Sequence, residues 1–592
     1  MDTSALAPNS HGVSIGPTGV TLRLWAPGAK RVEVVLDRAH PMQAQAQGWY
    51  QTTIPHARAG TLYKYRIDGE LEVPDPASDF QPQDVFGPSE VIDHDRFEWR
   101  MNDWGGRPWE NTAILELHVG TFTPGGTFRK AIDKLDHVVD AGLTAIELMP
   151  VADFAGRRNW GYDGVLLYAP DSAYGRPDDL RMLVDEAHAR GLMVFLDVVY
   201  NHFGPEGNYL HRYAPAFFAY AHTPWGHAID YRVPEVRAFA IGNALHWLER
   251  YRFDGLRLDA VHAIVEPGEP SILHDLSRAV GQLAAATGRL IHLVLENDDN
   301  RSSLLDPLTH PPRGRYRAQW NDDYHHAWHR LLTGEEEGYY QDYAADPRRH
   351  IARVLSSGFA YQGEPSPHRN DRNRGEASGS LSPLAFVNFL QNHDQIGNRP
   401  LGDRLAIHTG EPALTAALAI TLLAPMPPLL FMGEEWGATQ PFPFFCDFQG
   451  PLADAVRKGR RKEFERAYAE LSGAIPDPLE EATFRSAVLD WHASATRNGR
   501  KRLALIRNLL ATRRQEILPR LVGTKFAVGR CDGPILTSDW SLAGGQTLRL
   551  LANLSDAEAK PPRAFRPLRS IWGGELPAEL PPWSVFWSIG AG

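Results

Sequence analysis

The chain has 592 residues, 43% hydrophobic and 22% charged, with a formal net charge of −11 at pH 7. That length exceeds one ordinary core and points to roughly two to four domains. The negative charge is spread rather than blocked, which excludes a nucleic-acid surface, and two cysteines, Cys446 and Cys531, cannot build a disulfide framework or a metal motif.

Taken in chain order, "MDTSALAPNSHGVSIGPTG" lacks both a basic start and an apolar core, so no signal peptide is expected and a cytoplasmic location follows by default. Residues 1–100 read as β structure. "TLRLWAPGAKRVEVVLD" alternates and breaks at Pro27-Gly28, and "LYKYRIDG" ends in an Asp-Gly turn, as in a small sandwich. The Trp-, Pro- and Gly-rich "FEWRMNDWGGRPWEN" reads as a linker.

From about residue 113 short apolar runs alternate with helical patterns: "AILELHVGTF", "LTAIELMPV", "GLMVFLDVVYNH", "FDGLRLDAVH", "LIHLVLENDDN", "YRAQWNDD", "FVNFLQNHD" and "PPLLFMGEEW". Between the second and third, "LRMLVDEAHARG" places Leu180, Leu183, Val184 and Ala187 on one face and stops at Gly191. Eight such repeats are what a closed parallel (β/α)8 barrel requires, here over residues 101–518, with an irregular insert near 203–234. The most apolar run, 413–433, is split by Pro425, Pro427 and Pro428 into a core helix and a strand, too short for a membrane span. "RLALIRNLLATRRQEIL" reads as the closing helix, and residues 519–592 as a C-terminal β-sandwich.

In such a barrel the reactive groups come from the C-terminal ends of the strands. Those ends carry Asp197, Asn201 and His202; Arg257 and Asp259; Glu296; and Asn392, His393 and Asp394. Because side chains alternate along a strand, Arg257 and Asp259 share a face, and a buried cation beside a carboxylate is costly unless the two are paired. A single acid at a strand end is more often a cap or a loop ion pair. Three on one barrel, with an arginine and two histidines alongside, are the parts needed to cleave a glycosidic bond. One carboxylate stays ionised beside the guanidinium to attack the anomeric carbon, and the other stays protonated to serve the leaving oxygen. For a retaining reaction the two lie about 5 to 5.5 Å apart.

The stretches "DVVYNH", "GLRLDAVH", "LVLEN" and "FLQNHD" resemble, in order and chemistry, the four sequence regions of the α-amylase superfamily, family 13 of the glycoside hydrolases. The resemblance implies Asp259 as nucleophile, Glu296 as general acid/base and Asp394 as a stabiliser of the distorted sugar. It places Arg257, His202 and His393 in the same subsite, Tyr162 of "NWGYDG" as its aromatic platform, and Asp197 as a structural partner of the arginine. His262 is expected on the leaving-group side and His118 as structural. Asn201 matches a position that binds calcium in many amylases, but the other ligands are not recognisable, so no metal and no cofactor are expected.

The strings "ELMPVADFAGRRNWGYDGV", "LENDDN", "AQWNDDYHH", "LQNHDQIGNR" and "GEEWGATQPFPFFCDF" resemble the trehalose-releasing branch of that family, with Cys446 where a threonine is expected. The implied reaction is hydrolysis of the α-1,4 bond beside the terminal trehalose of a maltooligosyl trehalose. Acid and amide side chains at 297–300 and 321–323 are candidates to hold the trehalose unit, at least half of them being expected on a solvated rim. The alternative is a glucan branching or debranching enzyme with the same three carboxylates. A non-catalytic binding barrel would have lost at least one of them. The expected partner is an α-glucan chain, with neither nucleic acid nor membrane, and the expected state is a monomer or weak oligomer.

Overall fold

The computed structural model describes residues 11–223, 226–266, 268, 271–305, 316–465 and 475–591. Residues 1–10, where the absence of a signal peptide was read, lie outside them.

All eight apolar runs form strands of one sheet: β1 Ile114–Leu117, β2 Ala145–Leu148, β3 Met193–Val199, β4 Gly255–Asp259, β5 His292–Leu295, β6 Ala318–Trp320, β7 Phe386–Val387 and β8 Leu429–Phe431. Every neighbouring pair is parallel and consecutive in sequence, apart from β1 against β8. A parallel bridge between Asn388 and Pro428 joins β7 to β8 and closes the ring. Closure explains why these strands read as unbroken apolar runs, since a strand with a filled interior on one side and helices on the other is buried on both faces. The helix Pro177–Ala189 buries Leu180, Leu183, Val184 and Ala187, and Gly191, at φ +73, takes the left-handed conformation just past its end. The run from 413 divides as its prolines dictate, into the helix Glu411–Leu423 and strand β8.

The N-terminal region is antiparallel. One sheet joins Gly12–Gly16, Gly19–Trp25, Trp49–Ile54 and Gln43–Ala44, and another joins Ala39–Pro41, Val32–Val35, Leu62–Ile67 and Leu71–Val73. Val20, Leu22, Leu24, Val32, Val34, Tyr63, Tyr65 and Ile67 alternate inward, and the turn after Ile67 has both Asp68 and Gly69 at positive φ. At the other end of the chain five antiparallel strands, Lys525–Asp532, Ile535–Leu542, Gln546–Asn553, Ser584–Ala591 and Arg569–Trp572, form one sheet, in which Trp540 and Trp587 stack at 5.5 Å.

The 203–234 insert is more ordered than its composition suggests. It contains the turn of helix Leu210–Tyr213 and an antiparallel hairpin, Phe218–Thr223 with Gly226–Ile229. Its aromatic residues dock it: Phe217 meets Trp25 edge-on at 5.5 Å, and the Tyr213 carbonyl accepts from Gly28 N–H at 2.8 Å. The insert that follows β3 thereby ties the N-terminal module to the barrel rim.

The 97–111 linker is also packed rather than loose. Trp109 is buried and its Nε1 donates to the Leu384 carbonyl at 2.8 Å. Trp104 stacks on His188 at 4.7 Å and donates to Asp254 Oδ1 at 2.7 Å, while Asp254 Oδ2 accepts from His188 Nε2 at 2.9 Å and Val194 N–H at 2.8 Å. Asp254 is fully buried, so Asp254→Ala leaves three buried donors without an acceptor. The expected loss is about 3 to 5 kcal/mol, read as a lower urea midpoint with an unchanged slope, and Asp254→Asn is expected to lose less.

Candidate active site

The C-terminal ends of β3, β4 and β5 meet at Arg257. Its guanidinium is fully buried, and one nitrogen, Nη1, donates to both Asp197 Oδ2 and Asp259 Oδ1 at 2.7 Å. The other, Nη2, lies 3.5 Å from Glu296 Oε2. The register places Asp197 directly across from Arg257, so three adjacent strands feed one cation. The aromatic face of Trp320, at the end of β6, sits 4.2 Å from the guanidinium carbon. That face offers attraction without competing for the N–H groups, which are left for carboxylates.

Glu296 follows β5 directly. Its Oε2 accepts the Ala260 N–H at 2.5 Å. Ala260 holds φ +40 and ψ +47, a left-handed conformation costing about 1 kcal/mol in a non-glycine residue, and that turn is what presents its N–H to Glu296. Burial raises the Glu296 carboxyl to about 7; Arg257 works against the rise and Asp259 adds to it. Two carboxylates on adjacent strands thus occupy different environments: Asp259 in direct contact with the guanidinium, Glu296 more distant from it.

Asp394 stands in the first turn of the short helix His393–Gly397, which Asn392 caps by accepting from Asp394 N–H at 2.9 Å and Gln395 N–H at 3.2 Å. It is the most open of the three acids, its side chain 39% exposed. His393 bridges it to the barrel interior: Nε2 lies 3.4 Å from Asp394 Oδ1, and Nδ1 is hydrogen-bonded to Glu116 Oε1. Burial opposes a charge on His393, but Asp394 and Glu116 outweigh it and raise the imidazole to about 9. Tyr162 stacks on His393 at 5.0 Å and donates its hydroxyl to Asp197 at 2.6 Å.

His202 lies beside this group, bonded through Nε2 to the Tyr162 carbonyl at 2.9 Å, and burial lowers its pKa. Asn201 Nδ2 reaches the Asp259 carboxylate and carbonyl, each at 3.3 Å. His262 takes the Asp298 N–H on Nδ1 at 3.3 Å and lies close enough to Glu296 to act on its charge. His118 is a satisfied core residue, held by Thr121, Tyr174 and the Asn159 carbonyl. Asp197, Arg257, Asp259, Glu296, Asp394, His393, Tyr162, His202 and His262 therefore converge on one rim.

The 297–300 and 321–323 stretches are tied into the fold by ion pairs and hydrogen bonds, while the side chains of Asp298 and Asp299 stay 44% and 45% exposed. Asp298 pairs with Arg369 and Arg374, Asp299 with Arg369, and Asn300 Nδ2 donates to Asp323 at 3.0 Å. Burial opposes the charge on Asp298, yet the two guanidiniums hold it well below the usual carboxylate range. Asp323 also accepts from Ala360 N–H at 2.6 Å and Tyr361 N–H at 3.0 Å. These side chains brace the loop after Glu296 against the 359–374 segment. Asp322 is the exception: burial, with Glu296 and Asp298 nearby, raises its carboxyl well above the usual range.

Two interior acids were not singled out in the sequence, Glu116 and Glu147. They sit opposite one another on β1 and β2, and the signal available was an acid in the middle of each apolar strand, "ILEL" and "AIEL". Among the described residues, two side-chain groups have ligand atoms close enough for a metal ion, Asp37–His40–His56 and Asp79–His94–His246. Neither includes a residue of the rim. In the second, Arg181 donates to His94 Nδ1, which leaves the proton on Nε2, aimed at Asp79 where a metal would have to sit.

With that geometry in place, similarity to known proteins identifies the family. Models for the alpha amylase catalytic domain, for carbohydrate-binding module 48 (isoamylase N-terminal domain) and for a domain of unknown function (DUF3459) match residues 93–216, 9–79 and 525–587. A malto-oligosyltrehalose trehalohydrolase of Deinococcus radiodurans is 42% identical over 85% of this chain and 82% of its own. Another, from Brevibacterium helvolum, is 36% identical over 97% of this chain and 99% of its own. The chain belongs to the malto-oligosyltrehalose trehalohydrolase family. A Salmonella typhimurium protein provisionally assigned as an alpha amylase superposes on this family member with a TM-score of 0.92 at 42% identity, covering 98% of this chain and 99% of that one. A pullulanase of Paenibacillus barengoltzii, at 19% identity and a TM-score of 0.71, shares the fold.

The raised His393 pKa has a consequence for stability. Its contribution is fully present below the ordinary imidazole value near 6.5 and is lost as pH rises through about 9. Glu116→Gln removes one of the two carboxylates responsible. The variant is expected to bring the His393 titration back toward 6.5, followed by NMR, and to flatten the decline in stability that the parent shows between those values.

Proposed function

We propose that this family member hydrolyses the α-1,4 bond next to the terminal trehalose of a maltooligosyl trehalose, with retention, through Asp259 and Glu296. The observation that carries the chemistry is that one guanidinium, shared with Asp197, touches Asp259 and stands farther from Glu296. Asp259, in contact with Arg257 at 2.7 Å, is the group suited to stay ionised and attack the anomeric carbon. Glu296, farther from the guanidinium and raised to about 7, is suited to carry a proton near neutrality. Since Oε2 accepts the Ala260 N–H, the proton belongs on Oε1.

As Asp259 bonds to C1, the C1–O bond breaks and Glu296 gives its proton to the departing trehalose oxygen. A water then attacks the glycosyl ester, Glu296 takes its proton back, and the maltooligosaccharide leaves. Asp394, the most open acid, is placed to accept hydroxyl hydrogens from the sugar, with His393 charged behind it. Tyr162, backed by His393, offers its ring as the stacking platform, and His202 completes the same subsite. His262 lies toward the leaving group through its proximity to Glu296. The trehalose specificity is supported by the names of the relatives, and the loop brace at Asp298, Asp299 and Asp323 offers a rigid wall for that side of the cleft. An α-glucan chain is the partner this reading requires.

Incubation with maltotriosyl trehalose should release trehalose and maltotriose while amylose is left largely intact; branched or shortened glucan from amylose without trehalose would reassign the specificity. Asp259→Asn is expected to lose at least about 10³-fold in kcat with substrate binding retained. Glu296→Gln should lose far less on a substrate whose leaving group needs no proton; equal losses on both substrate types would remove it from the acid role. Because the reaction uses protonated Glu296, kcat/KM should fall as pH rises through about 7.

A further inference from the structure

A cavity of about 360 Å³ opens at the other end of the barrel, where the strands begin. Ala113, Thr144 and Leu192, each immediately before β1, β2 or β3, form its inner wall, and Leu510, Leu518 and Pro519 at the end of the closing helix form the outer one. Four arginines, Arg107, Arg190, Arg513 and Arg514, line the same space.

Arg190 is neutralised by Asp136 and Glu186 at 2.6 Å each. The other three have no carboxylate partner among the described residues. Arg107 donates to the Gly191 carbonyl at 2.6 Å. Arg513, only 2% exposed, donates to the backbone carbonyls of Leu422, Ala424, Pro425 and Met426, and its Nε has no acceptor. Arg514 is exposed and makes neither hydrogen bond nor ion pair with a described residue. Glu516, close in sequence to Arg513 and Arg514, is committed to Arg569, and Asp140, beside the lining residue Val139, pairs with Arg507.

Carbonyl groups satisfy the hydrogen bonds of a buried cation but do not cancel its charge, and an uncompensated buried charge is costly. The strain is visible in both inner arginines. Burial brings Arg513 down to about 9, and burial with the neighbouring charge of Arg514 lowers Arg107. Three positive groups around one cavity, with Val139, Leu143, Leu192 and Leu510 supplying apolar walls, describe a receptor for an anion with a compact apolar body. We propose that the base of the barrel binds a small organic phosphate monoester, its phosphoryl group held by Arg107 and Arg514, with Arg513 adding positive charge behind them, and its body seated on the leucine walls. A monoester carries close to two negative charges at neutral pH and oxygens that match guanidinium forks, whereas a carboxylate brings one charge. The site lies at the opposite end of the strands from the Arg257 cluster and is independent of the reaction assigned there.

The probe is phenyl phosphate, titrated calorimetrically into the full chain at constant ionic strength, against phenol, inorganic phosphate and benzoate. Phenyl phosphate is expected to bind at least about tenfold more tightly than any of the three. The double variant Arg107→Gln/Arg514→Gln, which spares the buried Arg513, should weaken it by about tenfold or more while hydrolysis at the other end is unchanged. An unaltered affinity in that variant, or no saturable binding up to about 10 mM, overturns the site. Benzoate binding as tightly as phenyl phosphate overturns the phosphate assignment.

Discussion

One fully buried guanidinium organises the reactive end of this barrel. Arg257 contacts Asp197 and Asp259 at 2.7 Å through a single nitrogen and approaches Glu296 at 3.5 Å through another. Removing an arginine from water is so costly that its environment must be built around it, and here three strands and the face of Trp320 do so. Planarity matters as much as charge, because a rigid fork can hold Asp259 in contact while keeping Glu296 farther off.

The rest of the rim supports that asymmetry. The left-handed Ala260 turns its N–H onto Glu296. His393, charged by its contacts with Glu116 and Asp394, carries positive potential toward the open side of the cleft. The loop following Glu296 is pinned by Arg369 and Arg374 through Asp298 and Asp299, so the acid sits on a braced segment rather than a free one. The N-terminal module takes part indirectly, since the insert after β3 docks on it through Phe217 and Tyr213.

The two ends of the barrel use arginine in contrasting ways. At the C-terminal end each guanidinium near the reactive carboxylates is matched by acids. At the N-terminal end Arg513 is held by four carbonyls, and no described acid answers it, Arg107 or Arg514. The same physical requirement, compensation of charge taken out of water, is met within the chain at one end and left to a ligand at the other.

The amino-acid sequence by itself determined the eight strands, because a strand buried on both faces must be apolar throughout and such runs stand out between amphipathic helices. It also determined the Arg257–Asp259 pairing, since the two-residue period of a strand puts both side chains on one face. The three rim carboxylates were legible together because they end apolar runs on one barrel, although any one of them alone reads as a cap or a loop ion pair. What only tertiary structure decided were the partnerships made between segments distant in sequence. Glu116 meets His393 across 277 positions, and Asp298 meets Arg374 across 76. Local pattern carries no information on such pairings, so acids expected either at the substrate or in solvent proved to be braced by arginines from a later loop. The hairpin within the 203–234 insert and the packed tryptophans of the linker were hidden for the same reason: their order comes from the surfaces they dock against, and those surfaces exist only once the barrel has closed.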